Sequence, residues 1–293
     1  MGSTTKISWA AMPLPNGQIA PGASWNPWQG CHKVSPGCAN CYMFREKKRY
    51  GQDPGVVVRS KPATFNLPLK IKEPTTFFVC SWSDFYVEEA DAWRLEAWDI
   101  MRRCPQHYFL ILTKRIERII PLTRYTEKDF GLDVTRKAPW PNIGLGVTAE
   151  NQEMAHERIM VLAEMNAAMK FVSYEPALKN IDWQEFLKPS ISHPSSGNPT
   201  GIPLIDWVIA GAESLSNKAA GRPCDKLWFA NTISECAEAG VPVFVKQMHW
   251  DGKSNSVMAS WPLQYQVQQF PESLKRHFEK YAIKGAGVME NLP

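Results

Sequence analysis

Short apolar runs alternate with amphipathic stretches along the middle of the chain, and this alternation is the main evidence for its fold. Continuous apolar runs indicate buried strands, which we predict at residues 76–80, 108–113, 142–147, 170–174, 205–210 and 241–245. Apolar residues at helical spacing predict helices at residues 42–50, 88–103, 115–122, 151–165 and 227–239. Strands that alternate with helices are typical of parallel βαβ units, so we expect an α/β protein.

The connections between these elements narrow the fold further. No Gly-rich dinucleotide fingerprint follows the first predicted strand, which argues against a Rossmann fold. A barrel, complete or partial, fits the alternation better, and the segment before residue 31 leaves room for one more strand. We predict a single domain over residues 1–293, with its core at about residues 20–250 and a C-terminal extension at about residues 251–293.

Polar side chains follow each predicted strand directly. These clusters lie at residues 81–84, 113–115, 148–151, 173–176, 213–214 and 246–247. In a parallel barrel the carboxyl ends of the strands form one rim, which is where active sites lie. Helix capping could account for Ser83 or Asp84 and for Thr148, but it does not explain Glu or Lys at several strand ends. The pattern therefore favours a functional rim.

Three of the seven cysteines, Cys31, Cys38 and Cys41, lie close together with the spacing C-x6-C-x2-C. Thiolates are soft ligands that suit iron–sulfur clusters, zinc and copper(I). A structural zinc ion normally has four protein ligands, but His32 is poorly placed beside Cys31 and no second C-x2-C is present. Three alternatives stay open at this point: a 4Fe–4S cluster with one open iron, which the spacing favours, a zinc site, and an unligated trio.

Composition excludes several classes of protein. Hydrophobic residues make up 44% of the 293 residues, which permits a sizeable core and argues against global disorder. We see no apolar segment of a secretory signal and no stretch near the roughly 20 apolar residues that span a bilayer. With clustered cysteines and no such signal, we expect a reducing cytoplasm and no membrane partner. Lys and Arg exceed Asp and Glu by 33 − 29 = 4, which permits a nucleic-acid partner without requiring one.

The cysteine segment and the strand ends together resemble a known family. Ordered matches occur at residues 25–31, 35–42, 78–84, 104–107, 112–115, 144–152, 173–176, 205–214 and 240–247. They are similar to the three-Cys-motif family of phages and bacteria, a divergent branch of the radical S-adenosylmethionine superfamily related to spore photoproduct lyase. The likeness covers most of residues 25–250, which makes it much more specific than the cysteines alone.

This resemblance implies a fold and two cofactors. The expected fold is a partial (βα)6 TIM-like barrel of the radical SAM type with N- and C-terminal additions. Cys31, Cys38 and Cys41 would ligate a 4Fe–4S cluster, whose open iron binds S-adenosyl-L-methionine. Cleavage of the sulfonium would give a 5′-deoxyadenosyl radical that abstracts hydrogen from a substrate. An external electron donor such as flavodoxin or ferredoxin would be required.

The chain departs from the superfamily pattern at two places, which shifts the expected cofactor contacts. The common spacing is C-x3-C-x2-C, whereas the first gap here has six residues. Asn40 replaces the usual aromatic residue before the last cysteine, so we expect Tyr42 to contact the adenine of the cofactor. The usual Gly-Gly-Glu segment is replaced by residues 81–84. We therefore expect Ser81, Ser83 and Asp84 to hold the methionine end.

The other site residues are assigned by their places at strand ends. Lys114 or Arg115 would pair with the cofactor carboxylate or a substrate phosphate. The candidates for ribose hydroxyls are Glu150, Asn151 and Glu175, with Glu213 facing the ribose or the substrate. Two residues are assigned catalytic roles: Lys246 would hold an anionic substrate group, and Cys80 would donate hydrogen to a radical.

Three hypotheses follow for function. The first is a radical enzyme, an isomerase or lyase, acting on a modified nucleobase or nucleotide, such as a hypermodified thymidine in phage DNA. Basic residues that could contact phosphates lie at residues 45–49, Arg59, Lys61, Lys70 and Lys72. The second is a zinc-stabilised nucleic-acid or protein-binding module without catalysis, and the third is a radical enzyme acting on a peptide or small metabolite.

Overall fold

The chain folds around one curled sheet of eight strands. The computed structural model describes residues 7–14, 16–119, 140–189, 201–214, 221–250 and 253–282. The strands are β1 (Met12–Pro13), β2 (Ile19–Ala20), β3 (Gly22–Trp25), β4 (Trp28–Gln29), β5 (Val58–Arg59), β6 (Thr76–Val79), β7 (Tyr108–Thr113), β8 (Ile143–Thr148), β9 (Met169–Tyr174), β10 (Trp207–Gly211), β11 (Val243–Trp250) and β12 (Lys253–Asn255). The helices are α1 (Tyr42–Arg49), α2 (Pro62–Phe65), α3 (Leu67–Lys70), α4 (Asp91–Arg103), α5 (Gln152–Ala163), α6 (Gln184–Leu187), α7 (Lys226–Glu238) and α8 (Glu272–Ala282).

The order of strands across the sheet is β12, β11, β10, β9, β8, β7, β6 and β3. Neighbouring strands from β3 to β11 are parallel, and β12 pairs with β11 in the antiparallel direction. Each predicted strand overlaps one of the strands β6 to β11, and the helices predicted at 88–103, 151–165 and 227–239 overlap α4, α5 and α7. The α/β class is therefore confirmed.

The predicted partial (βα)6 barrel of the radical SAM type is wrong. The sheet has eight strands, and its two ends, β3 and β12, do not pair with each other within the described part of the chain. The C-terminal region covers the outer edge of β11, because β12 pairs with it and the segment at residues 267–269 bonds to it. Val245 donates its N–H to the Val267 carbonyl at 2.8 Å, and Gln269 donates to the Val243 carbonyl at 2.9 Å. Backbone N–H and C=O groups of β11 that already have hydrogen-bond partners cannot pair with β3, so the sheet stays an open half-barrel.

A second difference concerns the helix predicted at residues 115–122. Its first residues form a short 3₁₀ turn, Ile116–Arg118, and its residues from 120 onwards lie outside the described residues. The segment before the cysteines supplies β3, as its length allowed, but this strand consists of only Gly22–Trp25 and carries no long apolar run.

Alternating side chains of the strands separate into two cores, one on each face of the sheet. On the outer face, Phe109 and Ile111 of β7 belong to the larger core, which includes buried residues of α4, α5 and α7. On the inner, concave face, Tyr108 and Leu110 belong to a second core. The period of two therefore decides which strand residues face the inside of the half-barrel.

Glycines on the inner face of β8 allow the large side chains of neighbouring strands to pack across it. A Cβ atom at Gly146 would lie 2.5 Å from the ring of Phe171, and one at Gly144 would lie 2.6 Å from the Met169 methyl carbon. No real Cβ makes contacts this short. Because Gly144 and Gly146 carry no side chains, Met169 and Phe171 of β9 can occupy the space over β8.

The amino-terminal half of the inner face is closed by the two ends of the described chain. Trp9 packs edge-on against Phe78 with a centroid distance of 4.7 Å, and against Trp207 at 6.3 Å. From the C-terminal side, Leu274 and Phe278 of α8 are fully or almost fully buried in the same core. This packing fills one half of the concave face and leaves the other half, at the carboxyl ends of the strands, open.

No helix in the described ranges combines the length and the apolar character that a membrane crossing requires.

Candidate functional site

A cavity of about 350 Å3 lies at the carboxyl ends of the parallel strands. The loop that carries the three cysteines forms its other wall. The predicted site residues that line it are Cys31, Cys38, Cys41, Tyr42, Cys80, Ser81, Ser83, Asp84, Lys114, Arg115, Glu175, Glu213 and Lys246. Two predicted residues, Glu150 and Asn151, do not line this cavity. The structure therefore brings together most of the residues that the sequence placed on the rim.

The cysteine loop, which we define as residues 30–41, connects the β4 region to α1. The loop contains a 3₁₀ turn at Pro36–Cys38. In this turn the Cys38 N–H donates to the Ser35 carbonyl at 2.9 Å. Cys41 immediately precedes α1 and donates its N–H to the Cys38 carbonyl at 3.3 Å. Cys38 is buried, while Cys31 and Cys41 are half-buried. The three thiols thus line one cavity from a single short loop.

Glu150 anchors the middle of the cysteine loop. Its side chain is fully buried, and one carboxylate oxygen accepts from the Gly37 N–H at 2.9 Å while the other accepts from Arg158 at 3.0 Å. Burial by itself would raise the pKa of Glu150, but the Ser35 side chain, Arg158 and the Gly37 N–H together hold it below its usual value. These partners engage both oxygens without a ligand.

A second anchor joins the end of the loop to Glu213, which lies two residues after β10. The Glu213 carboxylate accepts from the Asn40 side-chain amide at 3.0 Å and from the Arg222 guanidinium and backbone N–H. Arg222 also donates to the Pro36 carbonyl at 3.0 Å. Burial opposes ionisation of Glu213, yet these donors outweigh it and hold its pKa at about 2. Glu213 therefore positions the cysteine loop through an ionised carboxylate.

Asp84 organises the strand ends opposite the loop. One carboxylate oxygen accepts from the Thr113 hydroxyl at 2.7 Å and from the Tyr86 N–H at 2.9 Å. The other accepts from the Lys114 N–H at 2.9 Å and lies 3.2 Å from an Arg115 nitrogen. Asp84 is therefore fully engaged by the protein and ties the carboxyl end of β6 to that of β7.

Arg115 connects this carboxylate to the cysteine loop. Its guanidinium lies 3.5 Å from the Cys31 sulfur and donates to the His32 carbonyl at 2.9 Å. Burial raises the pKa of the Cys31 thiol to about 11, with the Asp84 carboxylate adding to the rise and Arg115 opposing it. The metal-free thiol is therefore protonated at neutral pH, and it must lose its proton when it binds a metal.

The predicted methionine-end residues also make contacts within the protein. The Ser81 hydroxyl exchanges hydrogen bonds with the Asn26 side chain at 3.0 and 3.2 Å, and its carbonyl accepts from the Tyr42 hydroxyl. Ser83 donates to the Gly30 carbonyl at 2.5 Å. Neither serine caps α4, because the N-cap residue of that helix is Ala90, several residues further along the chain. Their hydroxyls instead hold the cysteine loop and its neighbours in place.

Asn151 is the residue that does cap a helix. Its side-chain oxygen accepts from the Met154 N–H at 2.9 Å at the start of α5. A cap of this kind satisfies one of the free N–H groups of the first helical turn. This contact accounts for Asn151 without a ligand.

The remaining wall of the cavity carries opposite charges. Lys246 of β11 donates to both oxygens of Glu175, at 2.8 and 2.9 Å, and Gln247 donates to one of them at 3.1 Å. Lys114 donates to the Thr148 hydroxyl at 3.0 Å. Within the described part of the chain, Lys114 is thus the cavity cation for which we find no carboxylate within ion-pair distance. It is the best placed of these cations to receive an anionic group.

Cys80 lies in the cavity wall directly after β6. Its side chain is 4% exposed, and burial raises the pKa of its thiol well above the usual value, so the thiol is neutral. Its backbone has a φ of 61°, in the left-handed region that side chains other than glycine rarely adopt. Its position is compatible with the predicted role, which stays a prediction.

The spacing of possible ligands tests a single-ion site. Within the described ranges, no group of three or more His, Cys, Asp or Glu side chains is arranged so that it could hold one metal ion. A zinc ion needs its sulfur ligands about 2.3 Å from one point. Within the described residues, the three thiols are therefore not arranged to share a single ion. Thiolates are soft donors, a chemistry that suits an iron–sulfur cluster as well as zinc.

A comparison with known protein families identifies a family that matches most of the chain. The chain matches the family described as "Protein of unknown function (DUF5131)" over residues 5–282. The chain belongs to this family. No curated protein and no solved structure matches it. The match spans the sheet, the cysteine loop and α8, so all the site residues of this DUF5131 member lie within the family region.

Sequence reasoning missed three side chains that build this DUF5131 site. Arg222 binds Glu213 and the Pro36 carbonyl, Arg158 binds Glu150, and Asn26 binds Ser81 and the Trp82 N–H. Arg158 lies on the buried side of α5, and an arginine at an apolar position of a helical pattern is the sequence signal for such a residue. Arg222 and Asn26 lie in irregular segments, where no periodicity marks a side chain as inward-facing.

Proposed function

We propose that this chain is a radical enzyme that binds a 4Fe–4S cluster through Cys31, Cys38 and Cys41 and uses S-adenosyl-L-methionine. The observation that carries the proposal is the position of the three thiols. They line one cavity, on a loop fixed to the carboxyl ends of the strands by Glu150, Glu213 and Arg115. Polar groups at the carboxyl ends of parallel strands are the usual location of catalysis in α/β folds.

The cofactors would supply the chemistry, and the chain would supply the environment. When bound, the reduced cluster would cleave the sulfonium of S-adenosylmethionine and so provide a radical that abstracts hydrogen from the substrate. Lys114 is placed to bind a carboxylate or phosphate, and the ion pair of Glu175 and Lys246 adds further polar groups to the cavity lining. The aromatic residues Trp9 and Phe78 line the cavity as well and give it apolar surface.

We extend the proposal to the substrate, a modified nucleobase or nucleotide that undergoes isomerisation or cleavage. A volume of about 350 Å3 lies in the range of small-molecule sites. The helix α1 begins directly after Cys41 and exposes Lys48 and Arg49, which suit contacts with phosphates. A base in duplex DNA would have to be flipped out to enter the cavity. We also propose a reducing compartment such as the cytoplasm, which is consistent with the free cysteines and which an external electron donor would require.

Metal analysis of the full chain, reconstituted without oxygen, tests the cluster. We expect about four irons and about four sulfides per chain, with a visible absorption band that fades on reduction. Alanine at Cys31, Cys38 or Cys41 should abolish the band, whereas alanine at Cys104 or Cys236, both buried outside the cavity, should retain it. One zinc per chain without sulfide would contradict the proposal and support the alternative, a zinc-stabilised binding module.

Product analysis tests the reaction. With a chemical reductant and S-adenosylmethionine, we expect 5′-deoxyadenosine to form, and to form faster with the true substrate. Separate reactions with DNA, nucleotides and peptides, followed by mass spectrometry of nucleosides and peptides, identify the substrate class. Stimulation by peptides alone would contradict the nucleobase assignment but not the cluster. Cys80→Ser should still cleave the cofactor but lose the final product if Cys80 donates hydrogen.

A further inference from the structure

Arg115 lies between the sulfur of Cys31 and the carboxylate of Asp84, and all three groups are buried or half-buried. One guanidinium nitrogen is 3.5 Å from the Cys31 sulfur and 3.2 Å from an Asp84 oxygen. Arg115 is 7% exposed and Asp84 is 5% exposed. Charges separated by so short a distance and shielded from water interact strongly.

The contacts of Arg115 leave it little capacity to bind a ligand. Its other terminal nitrogen donates to the His32 carbonyl at 2.9 Å, and its backbone N–H donates to the Thr113 hydroxyl at 2.9 Å. Lys114, the neighbouring residue, instead directs its ammonium group to Thr148. The anion-binding role that the sequence left open between Lys114 and Arg115 therefore fits Lys114. Arg115 instead contacts the cysteine loop and Asp84.

We propose that Arg115 donates a hydrogen bond to the Cys31 thiolate and thereby raises the reduction potential of the bound cluster, while Asp84 lowers it. This inference rests on the proposed function, since it requires a cluster on Cys31. Hydrogen bonds to ligand sulfurs and the net charge nearby are among the properties that set cluster potentials. Reduction adds one negative charge, which a neighbouring cation stabilises and a neighbouring carboxylate destabilises.

The opposite signs separate this role from mere support of the loop. If Arg115 and Asp84 only held the cysteine loop, loss of either would loosen the same contact and would change the cluster in the same direction. If they act through charge and hydrogen bonding, loss of the cation and loss of the anion must shift the potential in opposite directions.

The test is an anaerobic redox titration of the reconstituted full chain, with dithionite as the electron source and the visible band as the signal. Arg115→Met should shift the midpoint potential to a more negative value, and Asp84→Asn should shift it to a less negative value. Arg115→Lys keeps the charge but loses the forked donor, so its potential should lie between those of the wild type and Arg115→Met.

The matched control is Arg118→Met. Arg118 carries the same charge, but it donates to the Tyr86 carbonyl and to Asp91 rather than to the cysteine loop. This variant should keep the wild-type potential. Circular dichroism and iron content verify that each variant folds and retains its cluster. If Arg115→Met loses iron, the potentials of Arg115→Lys and Asp84→Asn still show whether the two shifts have opposite signs.

Each outcome has a distinct meaning. Potentials that stay unchanged, or that shift in the same direction in Arg115→Lys and Asp84→Asn, would overturn the role of Arg115 and leave the proposed function intact. A wild-type chain that binds no iron and sulfide would overturn both. Opposite shifts with an unchanged Arg118→Met would establish the inference.

Discussion

Cys80 shows at the scale of one residue how the cavity imposes a conformation that the side chain does not favour. Its φ of 61° is the one positive value that a residue other than glycine has in the described part of the chain. The strand β6 ends just before it, and the N–H of Cys80 donates to the Trp25 carbonyl at 2.8 Å. The turn that follows then places Ser81 and Asp84 at the cavity. Strain of this kind is concentrated at functional sites.

Substitution of Cys80 measures this strain. Glycine adopts the left-handed region without penalty, so Cys80→Gly should be more stable than Cys80→Ala by about 1 kcal/mol. The matched control is Cys236, which is buried within α7, where Cys236→Gly should be less stable than Cys236→Ala by about 1 kcal/mol. Free energies of unfolding from urea titrations provide both comparisons. If the backbone were unstrained, Cys80→Gly would instead be less stable than Cys80→Ala, because glycine gains more entropy on unfolding.

The cysteine loop is the element on which the site depends, and buried carboxylates hold it. Glu150 and Glu213 contact the loop at Gly37 and at Asn40, and each carboxylate is also paired with an arginine. A buried charge is costly unless it is paired and hydrogen-bonded, so each carboxylate, its arginine and the loop depend on one another. The loop therefore has one preferred position on the rim.

Removal of Glu150 should destabilise the fold. Glu150→Ala leaves Arg158 as a buried, unpaired charge, which should cost about 3–5 kcal/mol. Adding Arg158→Met should recover part of this loss, because the unpaired charge is then gone. The exposed pair of Lys188 and Glu238, 3.3 Å apart, is the matched control, and Glu238→Ala should cost less than about 1 kcal/mol. Urea unfolding measures each step, and additive losses in the double variant would contradict the coupling.

At the scale of the whole molecule, α8 and the N-terminal segment close one half of the open sheet. Without them, Tyr108, Trp207 and Phe244 on the concave face would be exposed to water. In a closed barrel the opposing strands would cover such residues, but here the ends of the described chain do so. The stability of the half-barrel therefore depends in part on side chains of α8 that do not line the cavity.

Truncation of α8 side chains should have a large effect. Phe278 is 1% exposed, so Phe278→Ala should cost about 3–5 kcal/mol. Leu263 is a large apolar residue of the same C-terminal region but is 84% exposed, so Leu263→Ala should change stability by less than about 0.5 kcal/mol. Thermal and urea unfolding compare the two. A small effect at Phe278 would show that α8 is not part of the cooperative unit.

The pH dependence of stability provides a second test of this packing. His277 of α8 packs against Tyr108, donates its Nε2–H to the Gln106 carbonyl at 3.1 Å, and is 7% exposed. Burial lowers its pKa from 6.5 to about 4, and the positive charge of Lys280 and nearby His107 act in the same direction. Between these two values the unfolded chain binds more protons than the folded chain.

Stability should therefore fall as the pH decreases from about 6.5 to about 4, by about 3 kcal/mol in total from this residue. Above about pH 7 both states are neutral at His277, so this contribution to the slope disappears. Urea titrations at several pH values, on the wild type and on His277→Phe, measure the effect. The variant should lose this part of the slope, and an identical slope in both proteins would contradict the burial of a neutral His277.

The sequence by itself determined the elements and the residues of the rim. Apolar runs such as 108–113 and helical spacing such as 151–165 depend on local periodicity, so β7 and α5 could be predicted close to their observed bounds. The rule that parallel strands share one carboxyl edge then brought Cys80, Asp84 and Lys246 to a common cavity. These inferences needed no knowledge of distant contacts.

Only the tertiary structure decided how the sheet ends and what each rim residue contacts. The sheet stays open because residues 267–269 bond to β11, a pairing between distant segments that no local pattern marks. Arg115, Glu150 and Glu213 looked equivalent to ligand-binding residues in the sequence, yet their partners are the cysteine loop and its supporting side chains. A charged residue at a strand end is placed by periodicity, but its partner depends on which loop folds over it.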